Sequence, residues 1–439
     1  FVFFTFNFSK IIDTNRFPYI YNNQEKFNEH ALIEGENISS TLALVLDAKS
    51  DMELHYWGSD FWREIAGNRT VSNSTAEQTD KSKRFLFSVD RKYNNLKLKW
   101  KEALLFDDLY YDDEPKNIHS ISEMSSYVSE FNVSYKVRQF HTDISLLHTE
   151  NNLNNSSYSG WIKKEKSNSI FTAISYISKM ISTEFSLREE YNSEIEVPLI
   201  PSVSAEVNHN KLKLRVRLNR NFRAPTFNDR FWIGFGANGN PNLKAENGIN
   251  KEIGLDYSSE SFSNSITFFS LNVNDWILWK RQDNGNWMPE NLKEVLSEGI
   301  EWKTVLNTQY QNLNIYQEYN YQYNLSTNLK GISNLDASIG KQLIYTPKHK
   351  GNFTTVFTYK NISYKVNQSY VSAVFTSSDN LNELESFSLT NMSVKYNMKF
   401  VNSSLSLNAN NIFNAEYQSY QNYPNPGREF LIQLNINLN

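Results

Sequence analysis

Apolar and polar residues alternate along most of this chain with a period of two. In Lys211–Leu218 the cations Lys211, Lys213, Arg215 and Arg217 fall on one face and Leu212, Leu214, Val216 and Leu218 on the other. Phe131, Val133, Tyr135 and Val137 alternate with Asn132, Ser134 and Lys136. Leu405 and Leu407 oppose Ser404, Ser406 and Asn408, and Phe430, Ile432, Leu434, Ile436 and Leu438 oppose Gln433, Asn435 and Asn437. Successive side chains of a strand point to opposite faces, so the pattern predicts strands with one apolar and one polar face. Ten are predicted in the first half, at 1–9, 37–48, 51–58, 83–90, 96–107, 128–137, 139–148, 168–178, 180–190 and 202–209. Ten more follow, at 211–220, 249–258, 262–280, 297–306, 310–322, 350–359, 361–374, 386–397, 400–411 and 427–438.

Alternation alone also fits a soluble sandwich, and the connections separate the two. Very short turns (Lys49–Ser50, Arg138, Lys179, Asn210, Lys360) alternate with long polar segments such as 10–36, 59–82, 108–127, 221–248 and 323–349. Short turns at one end and long loops at the other are the layout of outer-membrane barrels. The expectation is therefore an all-β, transmembrane, antiparallel up-and-down β-barrel over residues 1–439, in contact with outer-membrane lipids.

Composition sharpens this. Aromatics are 14% of the chain (25 Tyr, 29 Phe, 9 Trp), yet mean hydropathy is only −0.57. A polar lumen and polar loops with one aromatic-girdled apolar band reconcile the two facts. The longest apolar run, Phe1–Phe8, is broken by Thr5 and Asn7 and is far short of the roughly 20 residues a helical span needs. With no cysteine there is neither a disulfide frame nor a thiol nucleophile, and a net charge of −4 gives no reason to expect nucleic acid as a partner. No basic n-region or cleavage site is visible at the start of the sequence, and the chain is expected to open mid-protein.

Two motif groups carry a family resemblance. Asn221-Phe222-Arg223-Ala224-Pro225-Thr226-Phe227-Asn228-Asp229 is followed by Gly239-Asn240-Pro241-Asn242-Leu243-Lys244-Ala245-Glu246. Near the end stand Asn410-Asn411-Ile412-Phe413-Asn414-Ala415-Glu416-Tyr417 and Pro426-Gly427-Arg428-Glu429-Phe430. Together they resemble the second half of TonB-dependent outer-membrane receptors, with cobalamin and ferric-siderophore receptors as the nearest subfamilies. Trp62-Arg63-Glu64-Ile65 and Ala76-Glu77-Gln78-Thr79-Asp80, both expected in the loop 59–82, are similar to members from the Bacteroidetes side. The resemblance implies TonB-dependent uptake of a scarce nutrient (cobalamin, ferric siderophore or haem), the TonB complex as partner through a plug, and a surface lipoprotein as a further partner. It implies 22 strands, so the plug and two strands are expected to be missing here. A passive porin-like or partner-plugged channel is the alternative.

Within the motifs a structural role is expected for Arg223, Pro225, Asn240, Pro241, Leu243, Glu246, Gly427 and Arg428. Pro225 and Pro241 would end strand pairing, and Gly239 and Gly427 would let the backbone turn. The charged members would brace loop bases through charge-assisted hydrogen bonds. Ligand contacts are expected from aromatic loops at Tyr19, Tyr21, Trp62, Phe231, Trp232 and Phe235, because ring faces bury a large flat ligand well. Trp57 is expected in the interface girdle. Asp108, Asp112 and Asp113 form a weak calcium candidate without EF-hand spacing, and a solvated acidic loop is the plainer expectation. The seven histidines have no zinc spacing, and neither a nucleophilic triad nor a nucleotide-binding loop is present, so no enzymatic activity and no cofactor are expected.

Overall fold

The computed structural model describes residues 1–70, 74–234, 236–282, 285–331, 336–398 and 403–436. Its main sheet has 22 strands. Two of these are the two-residue pieces Ile233–Gly234 and Ala237–Asn238, leaving 22 − 2 = 20 wall strands. Each wall strand pairs antiparallel with its neighbour in the chain, from Val2–Asp13 against Ile33–Asp47 to Ser403–Asn410 against Glu429–Ile436. These twenty correspond one to one with the predicted strands. The short turns fall where expected, and Arg138, Asn210 and Lys360 adopt the positive φ that two-residue hairpins demand.

The sheet curls until its two ends approach each other. Among the described residues no backbone ladder joins Val2–Asp13 to Glu429–Ile436, but their loops do touch. A small cavity between them is lined by Phe17 and Tyr19 of the first long loop and Tyr417 and Arg428 of the last, and Arg69 N, from the loop after Ser50–Glu64, donates to Asn422 O at 2.7 Å.

Register assigns the faces, since directly paired residues share one. Val2, Phe4, Phe6 and Phe8 align with Leu44, Leu42, Ser40 and Ile38 on the outward, lipid-facing side. Lys10 closes that band with ion pairs to Glu34 (3.2 Å) and Glu36 (3.4 Å). Leu212, Leu214, Val216 and Leu218 face outward in the same way, and Lys213, Arg215 and Arg217 face the lumen. The lumenal cations are largely matched. Lys213 meets Glu206 at 3.4 Å, and Arg215 holds Asp256 through two hydrogen bonds of 2.7 and 2.9 Å. This favours a solvated, self-neutralised wall over a cationic lure for anions.

Three expectations are corrected. Much of the predicted loops 59–82 and 108–127 is strand, because the wall continues beyond the apolar band as Ser50–Glu64, Glu77–Tyr93, Leu96–Asp113 and Ile118–Val137. Polar and apolar residues are mixed on both faces there, with Phe61 beside Trp62 and Leu109 beside Tyr110, so the period-two signal vanishes while backbone pairing continues. Consequently Trp62–Glu64 and Glu77–Asp80 are paired strand segments, with Arg63 bound to Asp80. Trp57 lies on the lumenal face, stacked on His55 at 5.5 Å and paired in register with Arg84, and is not a girdle residue.

Gly299 marks a place where the wall tolerates no side chain: a Cβ there would lie 2.0 Å from Tyr323 O and 2.7 Å from Phe269 Cζ. Gly299→Ala should destabilise the barrel by about 1–3 kcal/mol, read as a lower urea midpoint for the native, heat-modifiable band on gels. Gly351→Ala, whose Cβ would meet only Asn320 O at 4.0 Å, should stay near wild type.

Candidate functional site

The strand Leu212–Arg223 ends at Ala224-Pro225, and the next wall strand begins at Glu246. Arg223 and Glu246 are the last register pair between them. Arg223 Nε donates to Glu246 Oε2 at 2.8 Å and Nη2 donates to Oε1, a bidentate fork. Glu246 is only 4% exposed, and its Oε1 also accepts from Ile277 N at 2.8 Å. The carboxylate thus ties three wall strands together at the loop's base.

Beyond this brace the loop folds into a compact unit. Thr226 caps the helix Phe227–Phe231 through a reciprocal capping box: Asp229 N donates to Thr226 Oγ1 (3.1 Å) and Thr226 N to Asp229 Oδ2 (3.0 Å). Asp229 Oδ1 accepts from Trp279 Nε1 at 3.1 Å. Arg230, 4% exposed, is paired with Glu165 on the strand Ile162–Ile177. Gly239 packs on the helix, where a Cβ would sit 2.5 Å from Phe231 N. Its φ is not positive, so close approach and not turning is what requires glycine. Asn240 Nδ2 donates to Pro289 O (3.1 Å), and Leu243 and Ala245 are buried. In the closing motif Asn411 bridges to Ala415, and Asn414 Oδ1 accepts from Arg428 N (2.8 Å) where a Cβ on Gly427 would intrude. Gly427 too lacks a positive φ.

The loop also meets the connection between the strands Phe140–Asn155 and Ile162–Ile177. Ile233 N donates to Ser157 O at 2.8 Å, Ser159 N to Phe231 O at 3.1 Å, and the Tyr158 hydroxyl to Asn228 Oδ1. Tyr158 is 7% exposed, and burial pushes its hydroxyl up to about 12. Beneath these contacts lies a cavity of about 840 Å³. Phe227, Asn228 and Trp232 of the loop form one side; lumenal Arg84, Asp107, Tyr111 and Met124 form the other, amid serines and amides. Its lumenal cation is committed: Arg84 donates to Asp107 at 2.9 Å. A pocket with rings, hydroxyls, amides and, among the described residues, no free positive charge suits a large ligand of little net charge.

A family model described as TonB dependent receptor-like, beta-barrel matches residues 35–412. The chain belongs to the TonB-dependent receptor family. The barrel of this receptor lies in the outer membrane. It is similar to the vitamin B12 transporter BtuB of Photobacterium profundum, with 27% identity over 219 residues, 48% of this chain and 33% of that protein. The match thus spans about a third of the relative's length. It superposes on the FrpB iron transporter from Neisseria meningitidis with a TM-score of 0.79 at 12% identity, covering 99% of this chain and 76% of that one. The siderophore receptor PirA from Pseudomonas aeruginosa gives 0.75 at 13% identity, covering 99% and 74%. At such identities the structural likeness is one of fold.

The receptor's predicted ligand residues part company. Trp232 lines the cavity, and Phe231 packs beside it against Tyr158 and under Arg230. Phe235 lies outside the described residues. Tyr19 and Tyr21 sit in a hairpin at the barrel's seam, Tyr19 under Arg69, away from the cavity. Trp62 is on the outer face, donating to Glu77 Oε2 at 3.1 Å. Asp108, Asp112 and Asp113 do not converge: Asp112 pairs with His119 and Asp113 with Lys116, on opposite faces of one strand. No described trio of acids and histidines could hold a metal. Phe227, Asn228, Tyr158, Arg84 and Tyr111 were not singled out in the sequence. Phe227 and Asn228 could have been, since they lie inside the recognised motif.

Arg223→Ala would strand the buried Glu246 carboxylate and should destabilise the loop base by about 3–5 kcal/mol, seen first as protease cleavage within 224–245. Because folding raises the Tyr158 pKa, its contribution is complete below the unfolded value of about 10 and is lost as pH rises towards the folded one. Tyrosinate absorbance of wild type minus Tyr158→Phe should show one hydroxyl ionising last, together with release of the loop.

Proposed function

We propose that this chain is the wall and outer mouth of an energy-coupled importer, and that its cargo is a large, nearly neutral, amide-bearing nutrient of the cobalamin class. One observation carries the reading. The motif loop folds inward onto the loop at Ser157–Ser159 and borders a cavity of about 840 Å³ whose lumenal cation, Arg84, is paired with Asp107. An anionic ferric siderophore would call for unpaired Arg or Lys, as charge-assisted recognition requires. Similarity to a protein named a vitamin B12 transporter supports the same class. Coupling to the TonB complex, and a plug to receive it, are part of this proposal and rest on family membership.

Rings facing the cavity would stack on the ligand, and the hydroxyls and amides of Ser120, Ser122, Asn155 and Asn228 would bind its periphery. Cyanocobalamin, haemin and a ferric catecholate should be titrated in turn against the full-length receptor. Cyanocobalamin is expected to bind tightest, and Phe227→Ala or Trp232→Ala should weaken it about tenfold, with Trp62→Ala neutral. Tight binding of the catecholate and none of cyanocobalamin would reassign the cargo. Uptake by cells that is unaffected when the proton gradient is dissipated would overturn energy coupling.

A further inference from the structure

Trp57 is a large ring set in a polar stretch of the lumenal wall, and it is 42% exposed. Its register partners are Ser39 on one side and Arg84 on the other, and Asn7 continues the row. The next row towards the mouth is Ser9, Asn37, Ser59 and Ser82. Between the two rows runs a furrow of about 540 Å³. Ser59, Ser82 and Arg84 line both this furrow and the mouth cavity, so the two adjoin. The furrow lies one step deeper in the barrel than the rings of Phe227 and Trp232.

One face of the Trp57 ring is covered by a partner that is itself held fast. His55 stacks on it at 5.5 Å with the two planes 8° apart. Nε2–H of His55 donates to Glu53 Oε2 at 3.0 Å, and Thr41 Oγ1 donates to its Nδ1 at 2.9 Å. His55 does not line the furrow, so the covered face looks towards the short turn and the open face towards the furrow. Among the described residues no other ring and no cation lies over the indole, and its Nε1–H has no acceptor. Across the furrow the amides are half used. Asn7 Nδ2 donates to Ser39 Oγ at 3.3 Å and Asn37 Nδ2 to Ser9 Oγ at 3.2 Å, which leaves, among the described residues, both Oδ1 atoms without a donor. An aromatic face in water, with a donor on its edge and acceptors opposite, fits a flat ring that carries polar atoms.

We propose that this furrow is a second subsite for the cargo, seating a flat heteroaromatic arm on Trp57 while the bulk of the ligand stays in the mouth cavity. The inference rests on the cobalamin-class reading, because such a ligand bears a benzimidazole base on an arm beside its corrin disc. His55, Thr41 and Glu53 act as positioning residues that hold the indole ready, which spares the ligand the cost of ordering it.

Cyanocobalamin and dicyanocobinamide, which keeps the corrin but lacks the base, are the deciding pair of probes. Each should be titrated by calorimetry against the full-length receptor and its Trp57→Ala, Trp57→Phe and Asn37→Ala variants. Trp57→Ala should weaken cyanocobalamin about tenfold, the loss expected of one stacked base, and leave dicyanocobinamide unchanged, which also shows that the variant folds. Trp57→Phe should recover most of that loss. Asn37→Ala should weaken cyanocobalamin alone, by about threefold. An equal loss for both probes would overturn the subsite and assign Trp57 to packing within the receptor. So would unchanged binding of cyanocobalamin by Trp57→Ala. Either result leaves the cargo class standing, whereas failure of both probes to bind the wild-type receptor would overturn the cargo class and the subsite together.

Discussion

Inside a bilayer no water is available to a backbone N–H or C=O, and this constraint shapes the whole molecule. A helix meets it within one segment, but no helix among the described residues is long and apolar enough to cross a membrane. The alternative is a sheet in which strands find a neighbour on each side. The chain supplies it by a meander of twenty strands paired in sequence order, with only the first and last lacking a second ladder among the described residues. Once pairing is sequential, loop lengths segregate to two ends and side chains to two faces. The lumen is then polar by geometry, and its charges neutralise one another across strands, as Arg215 does with Asp256.

The same economy governs the outer mouth. A loop as long as 224–245 would stay open to water unless its own polar groups were satisfied. The Arg223–Glu246 fork, the Thr226–Asp229 capping box and the Arg230–Glu165 pair do this with buried, charge-assisted bonds. Breaking one such pair is far worse than never having had it, because the remaining charge stays buried. The motif therefore reads as architecture: its conspicuous residues hold the loop, and its plainer neighbours Phe227, Asn228 and Trp232 face the cavity.

Charge matching also narrows what the receptor can recognise. Where acids and bases cancel within the wall, selectivity falls to shape, rings and neutral hydrogen-bonding groups, which favours a bulky uncharged cargo.

From sequence alone the strand number, their order, the faces of the spanning segments and the family were all legible. Each rests on local information: period-two alternation, turn length, and a motif contiguous in the chain. Strand ends were not legible, because above the membrane both faces meet water and the alternation that marks a strand disappears, as in Gln78–Asp80 and Tyr110–Asp112. Nor was the face of Trp57, which depends on its register against Arg84. Tyr19, Tyr21 and Trp62 looked like ligand contacts for their chemistry, yet the fold sends them to the seam and the outer surface. The cavity itself joins Arg84, Tyr111, Tyr158 and Phe227, which are far apart in the chain. Only the curling of the sheet and the inward fold of one loop bring them together, and no local pattern encodes that meeting.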